Sequence, residues 1–94
     1  MVELTGAAIA IDAVRYTPAG IPIVELVLSH ESTQTEAGRS RKVALDVPAL
    51  AAGEQALRLA TCPLGAALKV SGFLARRGKS QTRLVVHINA FEYI

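Results

Sequence analysis

The sequence predicts a small all-β barrel of five strands, with a short helical link between the third and fourth strands. The chain has 94 residues, a length that leaves room for one hydrophobic core. Apolar and polar side chains alternate in several segments, as they do in strands with one buried face. Residues that favour helices are concentrated in a single segment, 48–60. We therefore expect residues 1–94 to form one domain.

The first strand is predicted in residues 2–14, a long apolar segment interrupted by Gly6. A glycine near the start of a strand allows it to bend around a barrel. Residues 16–22 follow, and they contain Pro18 and Gly20 at the spacing of a tight turn, because proline fixes φ early in a turn and glycine supplies a positive φ later. This segment is predicted to connect the first two strands.

The second and third strands are predicted in residues 24–29 and 41–47, where apolar side chains occupy every second position. Residues 48–60 are rich in Ala and Leu and predict the helical link, although Gly53 weakens the helix. A turn at 62–65 leads into the fourth strand, 68–76, in which Val70 and Leu74 are predicted to face the core and Gly72 allows a sharp bend.

The fifth strand is predicted in residues 82–93, with one face formed by Leu84, Val86, Ile88 and Ala90. Three strands, a helical link and two further strands are the element order of an OB-fold barrel. In that fold, ligands bind to the second and third strands and to the loops after the first and fourth strands. Those loops correspond here to residues 16–20 and 77–81.

The charges are unevenly distributed, although the net charge is only +2. No carboxylate lies between Glu54 and Glu92, a segment that contains six basic residues: Arg58, Lys69, Arg76, Arg77, Lys79 and Arg83. A second basic cluster follows Gly38 and contains Arg39, Arg41 and Lys42. Clustered cations favour nucleic acid by releasing its counterions. The alternative interpretation is that both clusters are solvated loops.

Several classes of protein are excluded by the composition. No uninterrupted apolar stretch approaches the length of a membrane span, and the N-terminus lacks the pattern of a signal peptide, so we expect a cytoplasmic protein. Cys62 is the only cysteine and shares no ligand spacing with His30 or His87, so neither an intrachain disulfide nor a metal site is expected.

Catalysis and a cofactor are not expected either. The sequence has no Gly-rich phosphate loop and no paired acid and base. Ser29, His30 and Glu31 have the residue types of a hydrolytic triad, but neighbours on a strand point to opposite faces. The hydrophobic fraction of 51% exceeds what so short a chain readily buries, which predicts self-association. The alternative is a monomer with an unusually apolar interior.

Several short motifs carry a family resemblance. LTG at 4–6, TPAGIP at 17–22 and LKVSGFL at 68–74 are similar to the bacterial single-stranded DNA-binding proteins. Within that superfamily, GIP at 20–22, VLSHES at 27–32, EAG at 36–38, GFL at 72–74 and VVH at 85–87 resemble the primosomal replication protein N (PriB) family. The resemblance extends over nearly the whole chain.

This resemblance implies a homodimeric, non-catalytic OB-fold protein of the replication restart primosome. Its implied partners are single-stranded DNA and the PriA helicase, with DnaT in some bacteria and single-stranded DNA-binding protein as further candidates. The family's basic contact residues map onto Arg15, Arg77, Lys79 and Arg83. Where relatives carry aromatic residues that stack on bases, this chain has Arg39 and Ala44.

The predicted DNA-binding residues combine these arguments. They are Arg15, Tyr16, Arg39, Arg41, Lys42, Arg76, Arg77, Lys79 and Arg83. Arg15 could equally pair with Glu25 or another acid. Phe73 is also placed for a binding face, although packing in the core or in a dimer would explain it as well. The alternative function is a protein-interaction adaptor with only weak DNA contact.

Overall fold

Five long strands, one very short strand and one helix form the part of the chain that the computed structural model describes, residues 1–78, Ser80 and 82–94. The strands are β1 (Val2–Ile11), β2 (Arg15–Tyr16), β3 (Pro22–Glu36), β4 (Arg39–Ala52), β5 (Ala67–Arg76) and β6 (Leu84–Tyr93). The helix α1 (Glu54–Leu59) lies between β4 and β5. The predicted position of the helix, after the third long strand, is therefore confirmed.

The long strands close into a barrel because β1 pairs with two neighbours. The sheet order is β1-β5-β6-β4-β3-β2, and β1 also pairs with β3. Residues 2–7 of β1 pair with β5, and residues 7–11 pair with β3. A Cβ on Gly6 would lie 2.9 Å from the carbonyl oxygen of Ser29. The absence of a side chain at Gly6 thus allows β1 and β3 to approach closely.

The barrel interior is filled from all five long strands and from the helix. Val24, Leu26 and Leu28 of β3 are buried, which confirms the predicted alternation in that strand. Ala56 and Leu59 of α1 pack into the same cluster. The remaining buried members of the cluster are Ala8, Ala49, Ala51, Cys62, Leu68, Val70, Val86, Ile88 and Phe91. Burial of these apolar side chains is the main contribution to the stability of the fold.

The helix is shorter than the sequence predicts. Residues 48–52 belong to β4, where Pro48 pairs with Val27 and Ala52 pairs with Ile23. Helix propensity is a weak preference, and pairing with the full length of β3 overrides it. The helix begins only after Gly53, which has a φ of 72°. The prediction of a helix across 48–60 is therefore wrong for residues 48–53.

The predicted face of β6 is wrong at Ala90 because of a bulge. Ser71 pairs with Ala90, whereas Gly72 pairs with Ile88, so β6 contains one extra residue. This shift exposes Ala90 and buries Phe91, since a displacement of one residue exchanges the faces of a strand. Leu74 was expected to face the core but is exposed. Leu74 pairs with the buried Val86, as the predicted face requires, but is itself 53% exposed.

The β3 and β4 strands form a long ribbon rather than two short strands joined by a loop. Residues 23–36 pair with residues 39–52, and a two-residue turn joins them at Ala37 and Gly38, both with positive φ. At about 3.4 Å per residue the ribbon is roughly 45 Å long. That length accounts for most of the 49 Å extent of the molecule.

Among the described residues, no helix has the length and apolar character needed to cross a membrane.

Candidate nucleic-acid interface

Glu25 on β3 brings together the two loops predicted to flank the binding face. Its Oε2 accepts a hydrogen bond from Arg15 Nη2 at 3.0 Å and another from Arg77 Nη2 at 2.5 Å. Arg15 lies in β2, before the first loop, and Arg77 directly follows β5. The Glu25 side chain is 19% exposed, compared with 57% for Arg15 and 46% for Arg77. We call these three residues the bridged site.

The local structure of the first loop fixes one half of the bridged site. Arg15 pairs with Ile23, which is two residues from Glu25 and therefore on the same face of β3. The loop is held by hydrogen bonds from the Gly20 N–H to the Thr17 carbonyl oxygen and from the Ile21 N–H to Thr17 Oγ1. The predicted turn at 16–22 thus keeps the guanidinium of Arg15 beside the Glu25 carboxylate.

The bridged site has a net charge of +1, since it contains two guanidinium groups and one carboxylate. Hydrogen bonds between such groups are stronger than those between neutral partners. A guanidinium carries five N–H donors, so neither Arg15 nor Arg77 is saturated by the bond to Glu25. Both arginines are about half exposed and can therefore donate to a second anion, such as a phosphate.

The second basic cluster lies at the far end of the β3–β4 ribbon. We call Glu36, Arg39, Arg41 and Lys42 the ribbon tip. Arg41 Nη1 lies 2.7 Å from Glu36 Oε2, and both side chains are about two-thirds exposed. Arg39 pairs in register with Glu36 across the turn. The predicted third strand, 41–47, already contained Arg41 and Lys42, and the structure extends that strand back to Arg39 and pairs all three cations with β3.

The remaining predicted residues lie close to the two loops. Tyr16 is exposed and pairs with Pro22 at the start of β3. Arg76 pairs with Leu84, which is adjacent to Arg83, so the two arginines lie at the same end of the β5–β6 hairpin. Arg76 and Arg83 are both exposed. Lys79 lies outside the residues that the structure describes.

The role of Glu25 as a shared partner is the feature that sequence analysis missed. Pairing of Arg15 with Glu25 was one of two open alternatives, and the structure shows that pair. The bond from Arg77 spans 52 positions of sequence. The pairing of strands from β3 through β4 and β6 to β5, which is a tertiary property, brings Arg77 to Glu25.

The histidines of the described residues show no arrangement for metal binding. In the part of the chain that the structure describes, no three His, Cys, Asp or Glu side chains gather into a metal site. His30 instead connects β3 to β1, with Nδ1 2.7 Å from the Thr5 carbonyl oxygen and Nε2 3.0 Å from Ser32 Oγ. His30 therefore has a structural role in joining two strands of the barrel.

Comparisons with known proteins agree with this architecture. The model of a family described as "another single-strand binding protein family" matches residues 1–90. The replication restart protein PriB of Bordetella pertussis is 44% identical over 86 residues, covering 92% of this chain and 80% of the relative. The PriB of Nitrosomonas europaea is 34% identical over 87 residues, with 93% and 81% covered.

Solved structures give the same result. The structure of PriB from Ralstonia solanacearum matches with a TM-score of 0.91 and 37% identity, covering 98% of this chain and 94% of the other. The single-stranded DNA binding protein of Thermus aquaticus, at 24% identity, shares the fold with a TM-score of 0.78 over 98% of this chain and 48% of its own. The chain therefore belongs to the PriB family of replication restart proteins, within the single-strand binding proteins that share this barrel.

Proposed function

We propose that this chain binds single-stranded DNA as a non-catalytic accessory protein of replication restart, acting as a single OB-fold domain. The observation that supports this most is the convergence of Arg15 and Arg77 on Glu25, because it joins the two loops that flank the ligand face of an OB fold. The proposed contact residues are those predicted from the sequence: Arg15, Tyr16, Arg39, Arg41, Lys42, Arg76, Arg77, Lys79 and Arg83.

Binding on this face is dominated by charge. Exposed arginines line both ends of the face, whereas aromatic residues are only 4% of the chain. Lys and Arg side chains that neutralise phosphates release counterions, which makes the affinity fall with salt. If about four phosphates are neutralised, log K falls against log salt with a slope of roughly −3 for a single strand. Such contacts read the backbone, so the affinity depends little on base sequence.

The biological role proposed for this binding is to connect DNA to the PriA helicase in the cytoplasm. The relatives are named replication restart proteins, and the single-strand binding fold supplies the face for DNA. DnaT and single-stranded DNA-binding protein are proposed as further partners. The competing proposal is an adaptor that binds the helicase and contacts DNA only weakly, which is favoured by exposed apolar side chains such as Leu57 and Leu64 on and after α1.

The protein is further proposed to act as a homodimer. In the described part of the chain, residues 2–6 of β1 pair only with β5, which leaves one edge of the strand without a partner. Free strand edges favour pairing with another chain, and a twofold dimer satisfies both copies at once. Sedimentation equilibrium at micromolar concentration is expected to give twice the protomer mass of 9.9 kDa. A protomer mass throughout that range would reject the dimer.

Fluorescence anisotropy with a labelled oligonucleotide tests the proposed function. The protein is expected to bind a single strand saturably at low salt, and added PriA helicase is expected to increase the anisotropy of the complex further. A duplex of the same sequence is the control and should bind more weakly. No binding of a single strand at low salt, together with binding of the helicase, would favour the adaptor instead.

A further inference from the structure

A row of four side chains crosses the outer face of the barrel from the bridged site. Glu25 pairs with Leu50 on β4, Leu50 is in register with His87 on β6, and His87 pairs with Phe73 on β5. Cross-strand partners lie on the same face of a sheet. With neighbouring strands about 4.8 Å apart, Phe73 lies roughly 14 Å from Glu25 along this row.

The far end of the row is an aromatic stack. The Phe73 and His87 rings are parallel within 3°, and their centroids are 4.9 Å apart. Phe73 is 47% exposed, although its ring is large and apolar. His87 is half-buried, and its Nε2 is a buried side-chain atom without a hydrogen-bond partner among the described residues. The stack on Phe73 is therefore the contact that orients the His87 ring.

Apolar side chains surround the Phe73–His87 stack on the outer face of the sheet. Leu50 and Val85 are buried, yet they lie outside the cluster that fills the barrel. Val85 pairs with Ala75, two residues from the Phe73–His87 pair, and so lies on the same outer face. The half-exposed Phe73 ring thus lies beside buried apolar side chains on this face. The stack with His87 gives one face of this ring an aromatic neighbour.

We propose that Phe73, stacked in parallel on His87, is a stacking platform for one base of the bound single strand. This proposal rests on the proposed function. Every nucleobase presents a π-face, and stacking on protein aromatics gives affinity without sequence selectivity. The opposite end of the row carries Arg15 and Arg77, which would take phosphates of the same strand. The row therefore offers a site for a base and a site for the backbone on one continuous surface.

A tryptophan introduced at this position reports on stacking directly, because the natural chain contains no tryptophan. The variant Phe73→Trp keeps a flat ring, and its fluorescence should be quenched saturably as unlabelled oligothymidylate is added. The matched control is Tyr93→Trp, at the opposite end of β6, where the native ring is 54% exposed. The control should bind the same strand by anisotropy without quenching.

The variant Phe73→Leu measures the contribution of the ring to affinity. It is expected to weaken binding about tenfold, within the range for loss of one stacked base. The salt slope should stay unchanged, because stacking releases no counterions. Tyr93→Leu should leave the affinity unchanged. Thermal unfolding and sedimentation of both variants identify any loss of folding or change of assembly.

The outcomes separate this inference from the proposed function. Saturable quenching of the fluorescence of Phe73→Trp, with no quenching of Tyr93→Trp, supports the stacking platform. Binding by anisotropy without quenching of Phe73→Trp would overturn the platform and leave DNA binding intact. A protomer mass for Phe73→Leu, with a dimer mass for the parent, would show that the ring packs against a second copy instead. Failure of the parent to bind any single strand would overturn the proposed function and the platform together.

Discussion

The bridged site and the ribbon tip contain the same kinds of residue but are built differently. In each, a glutamate pairs with arginine. Glu25 is 19% exposed and joins Arg15 and Arg77, which are 10 and 52 positions away in sequence. Glu36 is about two-thirds exposed and pairs with Arg41, five positions away across a tight turn. The two sites are separated by 11 residues of β3, which is about 35 Å of strand.

The difference indicates which cationic side chains are held in a defined position and which are free to move in solvent. An exposed ion pair contributes little to stability or to the placement of its side chains, because solvent screens it and both chains lose entropy. A carboxylate shielded from solvent and shared by two guanidinium groups holds both of them at a defined position. The bridged site is therefore expected to contribute a preorganised contact to DNA, whereas the ribbon tip adds general electrostatic attraction.

The largest expected effect concerns the close pairing of β5 and β6 at Gly72, compared with the open turn of the ribbon. In Gly72→Ala the new Cβ would lie 1.8 Å from the His87 carbonyl oxygen, so β5 and β6 must separate. Gly38→Ala, at the ribbon turn, meets open space and suffers only from its φ of +76°. Urea unfolding should show a loss of about 4 kcal/mol or more for Gly72→Ala and about 1 kcal/mol for Gly38→Ala. Equal losses would show that the two regions are packed alike.

The next largest effect concerns DNA affinity. The double variant Arg15→Ala with Arg77→Ala should weaken single-strand binding about tenfold, because two fixed donors to phosphate are lost. The matched double variant, Arg39→Ala with Arg41→Ala, removes the same charge from the ribbon tip and should weaken binding by about threefold or less. Anisotropy at one low salt concentration makes the comparison. A larger loss of affinity for the ribbon-tip variant would show that the ribbon tip, rather than the bridged site, is the main DNA contact.

Neutralising a carboxylate is expected to have a smaller effect of opposite sign, an increase in single-strand affinity. Glu25→Gln keeps an oxygen that accepts hydrogen bonds from Arg15 and Arg77 but removes the anion that competes with phosphate for them, so single-strand affinity should rise about threefold at low salt. Glu36→Gln should change the affinity little, since its charge is already screened by solvent. Glu3→Gln is a further control, because Glu3 pairs with Lys69 at 3.3 Å on β1 and β5. An equal rise in all three would indicate a general effect of net charge.

The parts of the fold that follow from local pattern were predictable. The alternation at Val24, Leu26 and Leu28 and the turn through Pro18 and Gly20 both depend on a few neighbouring residues. Sequence patterns did not predict the features that depend on which strands pair with each other. Pro48 belongs to β4 because it pairs with Val27 of the long strand β3. The bulge opposite Gly72 places Ala90 outside the core. Neither effect leaves a signal in local periodicity.

The candidate site likewise combines residues that the sequence predicted with contacts that only the fold creates. Charge clustering identified Arg77 and the ribbon tip, and the family resemblance identified Arg15. That Arg15 and Arg77 share Glu25 depends on the closure of the barrel, which brings residues from β2, β3 and the end of β5 together. The sequence also placed Phe73 on a possible binding face but did not show that His87 lies flat against it.

The salt dependence of single-strand binding tests the central claim most directly, since it counts the phosphates that the protein neutralises. The parent is expected to show a slope of log K against log salt of roughly −3. Loss of Arg15 and Arg77 together should make the slope shallower by about 1.4, at about 0.7 for each phosphate contact in a single strand. Loss of Arg39 and Arg41 should change it by less. A parent slope near zero, or an unchanged slope in a folded Arg15→Ala, Arg77→Ala double variant, would contradict the assignment of the bridged site as the DNA contact.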